Sequence, residues 1–319
     1  MGFDVQKALG AVLLGGLISL GLSGIVSMQA FLYFRLFHND FRRVKFVVSV
    51  VWFFDLVHSG LICAGAWQYL IQSWGNEATL DNIPIPIALT IIVTAVVTFI
   101  VHSFFTHRVL ILSKHNWFIS VPMWILALFR LVCASATTAL MVHLQSFDQF
   151  LNRYRWIFTL GLATSAAVDI LIAASLCYYL RRNRTGFSNM DHVIDTIMLY
   201  TINNGSLTSL ATVISLICWL SMPHTLIFLG FHFAISKLYA NSFLATLNTR
   251  ETLRGRSQGS SDSAYPMPVI FQGRLTTDRF GVQNDLQVAT LDQRTTKLQI
   301  NVEKTIHVEG GEPSDEATN

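Results

Sequence analysis

Charge is what this sequence has least of. Asp, Glu, Lys and Arg make up 13% of its 319 residues, against roughly 25% in soluble domains. That scarcity excludes a disordered chain and argues against a soluble globular enzyme. A net charge of +3 is too small to point to nucleic acid as a partner. Four cysteines are too few for a disulfide scaffold. Cys63, Cys133, Cys177 and Cys218 all fall inside apolar runs, where small buried hydrophobes are expected. The seven prolines are absent from the middle of those runs. Pro86, Pro122 and Pro223 fall in or beside an expected first helical turn, where the missing N–H is harmless.

What is present is apolar. Hydrophobic residues reach 52% and aromatic ones 12%, with a mean hydropathy of +0.48. The charge is also unevenly spread. Residues 1–250 hold 15 Lys+Arg and 9 Asp+Glu, whereas 251–319 hold 7 and 10. The change falls at Arg250–Arg256, before a Ser/Gly/Asp stretch. This divides the chain into a membrane domain, 1–250, and a soluble tail, 251–319, expected to be mostly disordered.

A bilayer core needs about 20 mostly apolar residues per helix. Seven stretches qualify: 8–34, 45–71, 87–112, 118–143, 156–181, 194–220 and 223–246. An open sheet could not satisfy its backbone in lipid, so the expected fold class is all-α, a polytopic bundle of seven transmembrane helices. Orientation follows from the loops. Arg35, Arg42, Arg43, Lys45, Arg108, Lys114, Arg181, Arg182, Arg184, Arg250, Arg254 and Arg256 flank one side, and Lys7, Arg153 and Arg155 the other. The positive-inside bias places the N-terminus outside and the C-terminus in the cytosol, with span one inserting as a reverse anchor. Aromatic residues mark the edges: Trp67, Tyr69, Trp74, Tyr154, Trp156 and Trp219 outside, Tyr33, Trp117, Tyr178 and Tyr179 inside.

Ionisable residues inside spans are costly and mark function by default. Asp55, His102, Arg130, Asp169, Asn203 and Lys237 lie about 9–13 residues from the cytosolic edge, a layer roughly 14–20 Å deep. His58 shares a face with Asp55, three residues away. An Arg130–Asp169 ion pair is the first expectation, and Asp55 with His102 or Lys237 the second. The layer reads either as a structural lock on helix register or as a ligand, ion or proton site. His58, His102 and His232 lack the spacing of a zinc site, so no metal is expected. No cofactor is expected either: Lys237 suits a retinal Schiff base in residue type, but span three offers no carboxylate as counter-ion. Ala11, Gly15, Ser19, Ser23 and Ser27 form a small-residue stripe on span one, expected to pack inside the bundle, with a homodimer seam as the sharper alternative. Span six is polar at Thr201, Asn203, Asn204, Ser206, Thr208, Ser209 and Thr212, which suits interhelical hydrogen bonding.

Several strings carry a resemblance: Trp52–Ser59 (WFFDLVHS), Ser103–Lys114 (SFFTHRVLILSK), Asp169–Phe187 (DILIAASLCYYLRRNRTGF), Tyr200–Ser209 (YTINNGSLTS) and Lys237–Arg250 (KLYANSFLATLNTR). From about Gly15 to Arg250 the chain resembles a fungal, chiefly basidiomycete, family known as domain of unknown function 6534. The resemblance implies a seven-helix integral membrane protein and no settled biochemical role. Asp55, His58, Asp169, Arg181, Thr185, Gly186, Phe187, Asn203, Lys237 and Asn241 match its strings; His102, His107 and Asn204 depart from the family's pattern.

The functional expectation is a non-enzymatic, receptor-like sensor in the plasma membrane rather than an internal one. A small-molecule ligand would meet the polar layer, and Arg181, Arg182, Arg184, Thr185, Gly186 and Phe187 would form the cytosolic output. A scaffold acting through a partner of the tail and a small-solute or ion transporter remain as alternatives. Within the tail, Gln299–Val308 (QINVEKTIHV) alternates enough to suggest a short strand formed on binding.

Overall fold

The computed structural model describes residues 5–73, 80–182 and 188–257, with side chains within them except at 188–201, 204 and 251–257. Seven long helices account for nearly all of them: α1 (Val5–Leu36), α2 (Arg42–Trp67), α3 (Ile85–Leu112), α4 (Trp117–Leu144), α5 (Phe147–Arg182), α6 (Ser188–Ser221) and α7 (Ile227–Ser257). No strand occurs among the described residues; a single bridge joins Asn82 to Ser146. Trp74, Arg184, Thr185, Gly186, Phe187 and residues 258–319, with their expected strand, lie outside the described residues.

Polar residues set the starts of α4 and α5. Asn116 accepts the Phe118 N–H at 3.1 Å and starts α4, satisfying one of the donors a helix start leaves free. Gln145, in the left-handed region at φ 53°, ends α4. Asp81 then accepts from Ser146 Oγ at 2.6 Å and from the Asp148 N–H at 2.8 Å, capping α5. Among the helix starts the extension is largest at α5: the helix begins at Phe147, nine residues before the apolar run that predicts it. The last turn of α2 widens into a π-helical segment, Gln68–Gln72. Pro122 sits in the second turn of α4, not the first. A proline there leaves the carbonyl four residues back, at Phe118, without its helical donor.

Five helices, α1 to α5, are each long and apolar enough to cross a membrane. The 28-residue helices α3 and α4 are about 42 Å long at the usual rise, longer than a hydrocarbon core of about 30 Å. The described apolar part of α6, Gly205–Ser221, is shorter. Large apolar side chains such as Leu14, Phe31, Phe53, Ile125 and Ile170 face outward, as a lipid solvent requires.

Each helix packs on the next in sequence, α7 closes back on α1, and α3 also touches α5 and α7. Two helices therefore occupy the interior. In α3, 61% of the most apolar window is buried, against 28–39% in the other four. In α7, residues 235–245 are buried without interruption. The small-residue stripe of α1 makes its contact with α7 possible. A Cβ on Gly15 would lie 2.3 Å from the Gly230 backbone, so only glycine allows this approach. Further along the stripe, Ser19 Oγ donates to the Phe233 carbonyl at 3.0 Å, and Ser27 Oγ accepts from Trp52 Nε1 at 3.2 Å. Gly15, Ser19 and Ser23 of the stripe are buried inside the bundle.

The aromatic edges divide. Trp67, Trp156, Trp117 and Tyr178 are more than half exposed. Trp219 is instead fully buried, stacked edge-on to Phe158 and Phe228, and donates to Thr159 Oγ1 at 3.0 Å. Its place at a span end does not make it a headgroup anchor, because α6 turns that face toward α5 and α7. Tyr33 is likewise buried and donates to Asp40 at 2.9 Å, and Asp40 also receives Arg250 at 2.6 Å.

Candidate functional site

The polar residues inside the bundle form two networks that meet on α7. The first joins α1, α2 and α7. Lys237 Nζ lies 2.9 Å from Asp55 Oδ1 and donates to the Asp55 carbonyl and to Ser59 Oγ, both at 2.7 Å. Ser23 Oγ donates to Asp55 Oδ2. Both charged side chains are fully buried. A buried ammonium is tolerable only with hydrogen bonds and an opposite charge beside it, and Lys237 has two accepting oxygens and the Asp55 carboxylate. Of the two partners expected for Asp55, the structure supplies Lys237.

The second network joins α3, α5 and α7. Asp169 Oδ1 is 2.9 Å from His102 Nε2, and Asp169 Oδ2 accepts from the Tyr239 hydroxyl at 2.6 Å. Ser165 Oγ lies 3.0 Å from the same hydroxyl. The His102 and Tyr239 rings meet edge-on at 5.3 Å. Lys237 and Tyr239 are two residues apart, about 200° around a helix, so α7 sends one side chain to each network.

The expected Arg130–Asp169 ion pair is not formed. Asp169 is occupied by His102 and Tyr239, and Arg130 is buried with Nε and Nη1 unpartnered. The two residues lie on neighbouring, packed helices, yet the guanidinium makes no ion pair with the carboxylate. Asn203 also departs from the layer: it is exposed, because α6 turns Thr208, Thr212, Ser215 and Trp219 inward. The remaining members are buried as expected. His58 Nε2 lies 3.1 Å from Thr94 Oγ1, and Asn241 is 3% exposed with Oδ1 unpartnered. His232 is buried beside Phe158 with neither ring nitrogen partnered. Arg181 and Arg182 are exposed at the end of α5. No cluster of three His, Cys, Asp or Glu residues disposed to hold a metal occurs among the described residues.

Tyr239, Ser165, Ser23, Ser59 and Thr94 were not among the expected site residues. One signal for the last was legible: Thr90, Thr94, Thr98, His102 and Thr106 repeat every four residues on α3, and all five are buried. Such a stripe on an apolar helix marks the face turned to protein.

The second network borders two spaces. A cavity of about 30 Å³ is lined by His102, Asp169, Thr208, Tyr239 and Ser242, room for about one water. Outside it, a groove of about 540 Å³ runs between α5 and α6, along Asp169, Ala173, Ala174, Gly205 and Ser209. Asp169, Ala173 and Gly205 line both. A separate apolar groove of about 730 Å³ lies between α1, α6 and α7.

Residues 165–252 match the model of a family of unknown function, DUF6534. The match begins at Ser165 and takes in Asp169, Asn203, Lys237, Tyr239 and Asn241; Asp55, His58, His102 and Arg130 lie outside it. No curated protein and no solved structure matches the chain.

Proposed function

We propose that the protein is a receptor-like sensor, a multi-pass membrane protein whose seven helices all span the bilayer. The arginine-rich ends would face the cytosol, by the positive-inside bias, in the plasma membrane. The observation that carries the sensor reading is the position of Asp169. It ties α5 to α3 through His102 and to α7 through Tyr239, and it borders both the internal cavity and the lateral groove. A ligand that competes for this carboxylate would change the contacts of three helices at once, which is the differential interaction a switch requires. The exposed ends of α5, with Arg181 and Arg182, would carry the change to the cytosolic face. The cavity's size, about one water, favours a sensor over a solute transporter.

The test places spin labels at His107 and Arg182, exposed positions on α3 and α5, in a cysteine-free background in nanodiscs. Adding a lipid extract of the native membrane should shift the interlabel distance, and Asp169→Asn should abolish the shift. An unchanged distance in the unmutated chain would overturn the sensor reading.

A further inference from the structure

We infer that the α5–α6 groove admits a neutral, hydroxyl-headed lipid of rigid apolar body, the chemistry of a sterol, with its hydroxyl lodged at the His102–Asp169 pair. The inference rests on the sensor reading for its site, and it names the ligand class. Three observations lead to it.

The first is the route. Asp169, Ala173 and Gly205 line both the groove and the cavity, so a molecule lying along α5 and α6 reaches the buried pair from the bilayer side. The groove's volume of about 540 Å³ falls within the roughly 300–1,000 Å³ of small-molecule sites. Ala173, Ala174, Gly205 and Ser209 give its wall short side chains, a surface that suits a flat, stiff body.

The second is hydrogen-bonding capacity. His102 is 1% exposed and lines the cavity, and its Nδ1 has no partner. When Nε2 donates to the Asp169 carboxylate, Nδ1 of the neutral ring is an acceptor. Each Asp169 oxygen, holding one donor, can accept another. The pair thus needs a donor, which a hydroxyl supplies.

The third is charge. The buried acids and bases balance in number: Asp55 is paired with Lys237, and Asp169 and Arg130 are both buried on the packed helices α5 and α4. A cationic head would leave an excess charge in the bundle, and an anionic head would face a carboxylate. A neutral head meets neither cost.

The experiment uses the full chain in nanodiscs and a photoreactive sterol, free or methylated at its hydroxyl. The free sterol should label peptides of α5 and α6. Methylation should weaken labelling about tenfold, the loss of one hydrogen bond to a charged group. Ala174→Phe, which fills the groove from an exposed position, should abolish it while leaving the thermal midpoint unchanged. Equal labelling by both probes, or labelling confined to the α1–α6–α7 groove, would overturn the inference. A native lipid extract that still shifts the α3–α5 distance would then leave the sensor reading standing. Sterol labelling without any shift would instead retain the ligand class and remove the sensor.

Discussion

Replacing Lys237 by Met should destabilise the protein more than any other change to the first network. The ammonium lies 2.9 Å from Asp55 Oδ1, an attraction of about 6 kcal/mol at an effective dielectric of about 20. Desolvation of two fully buried groups offsets most of that, so the pair itself contributes little net stability. Breaking it is another matter. Met fills the space of the lysine stem but strands a carboxylate with only the Ser23 hydroxyl donating to it. Uncompensated buried charges cost about 3–5 kcal/mol, which shifts a midpoint by on the order of 10 °C in a chain of this size. Asp55→Asn in the Lys237→Met background should restore most of the loss, because Asn still accepts from Ser23 and carries no charge. The assay is unfolding in mixed micelles, followed by circular dichroism and by a thermal shift. If Lys237→Met stays within about 1 kcal/mol of the parent, or the double variant is no better than the single one, the buried-pair account fails.

Arg130→Met should cost far less than Lys237→Met, because removing a buried guanidinium with unpartnered nitrogens and no carboxylate in contact offsets the loss of the charge that balances Asp169; a thermal midpoint lowered as far as by Lys237→Met would show a direct partner. Gly15→Ala should disrupt the α1–α7 contact, since its Cβ meets the Gly230 backbone, whereas Gly21→Ala meets nothing within 4 Å and should be silent; thermal shifts compare the two. Tyr239→Phe should cost about 1.5–3 kcal/mol by removing a donor to the Asp169 carboxylate, and an unfolding midpoint equal to the parent's would contradict the hydrogen bond.

The helices were legible in the sequence because apolar length sets them: each of the seven expected spans falls on one helix, with α7 starting four residues later than expected. Boundaries moved where capping decided, as at Phe147 and Asp81. Position along the spans was enough to bring Asp55 and Lys237 together as one of two expected pairings. Rotation about each helix axis was not, since it depends on every neighbour at once. That is how Arg130 missed Asp169, how Asn203 turned outward, and how Tyr239 took a place in the site. A lone tyrosine in an apolar run carries no sign of which way it faces. The threonine repeat on α3 did carry such a sign, because only a protein-facing stripe keeps hydroxyls out of lipid.

The claim that the His102–Asp169–Tyr239 network holds a ligand reached from the bilayer is tested most directly by mass spectrometry of what the full-length protein retains. The parent chain, Asp169→Asn and Ala174→Phe would each be purified from native membrane in mild detergent and extracted. One neutral hydroxyl-bearing compound should be enriched with the parent and lost from both variants. Identical extracts from all three proteins would contradict it.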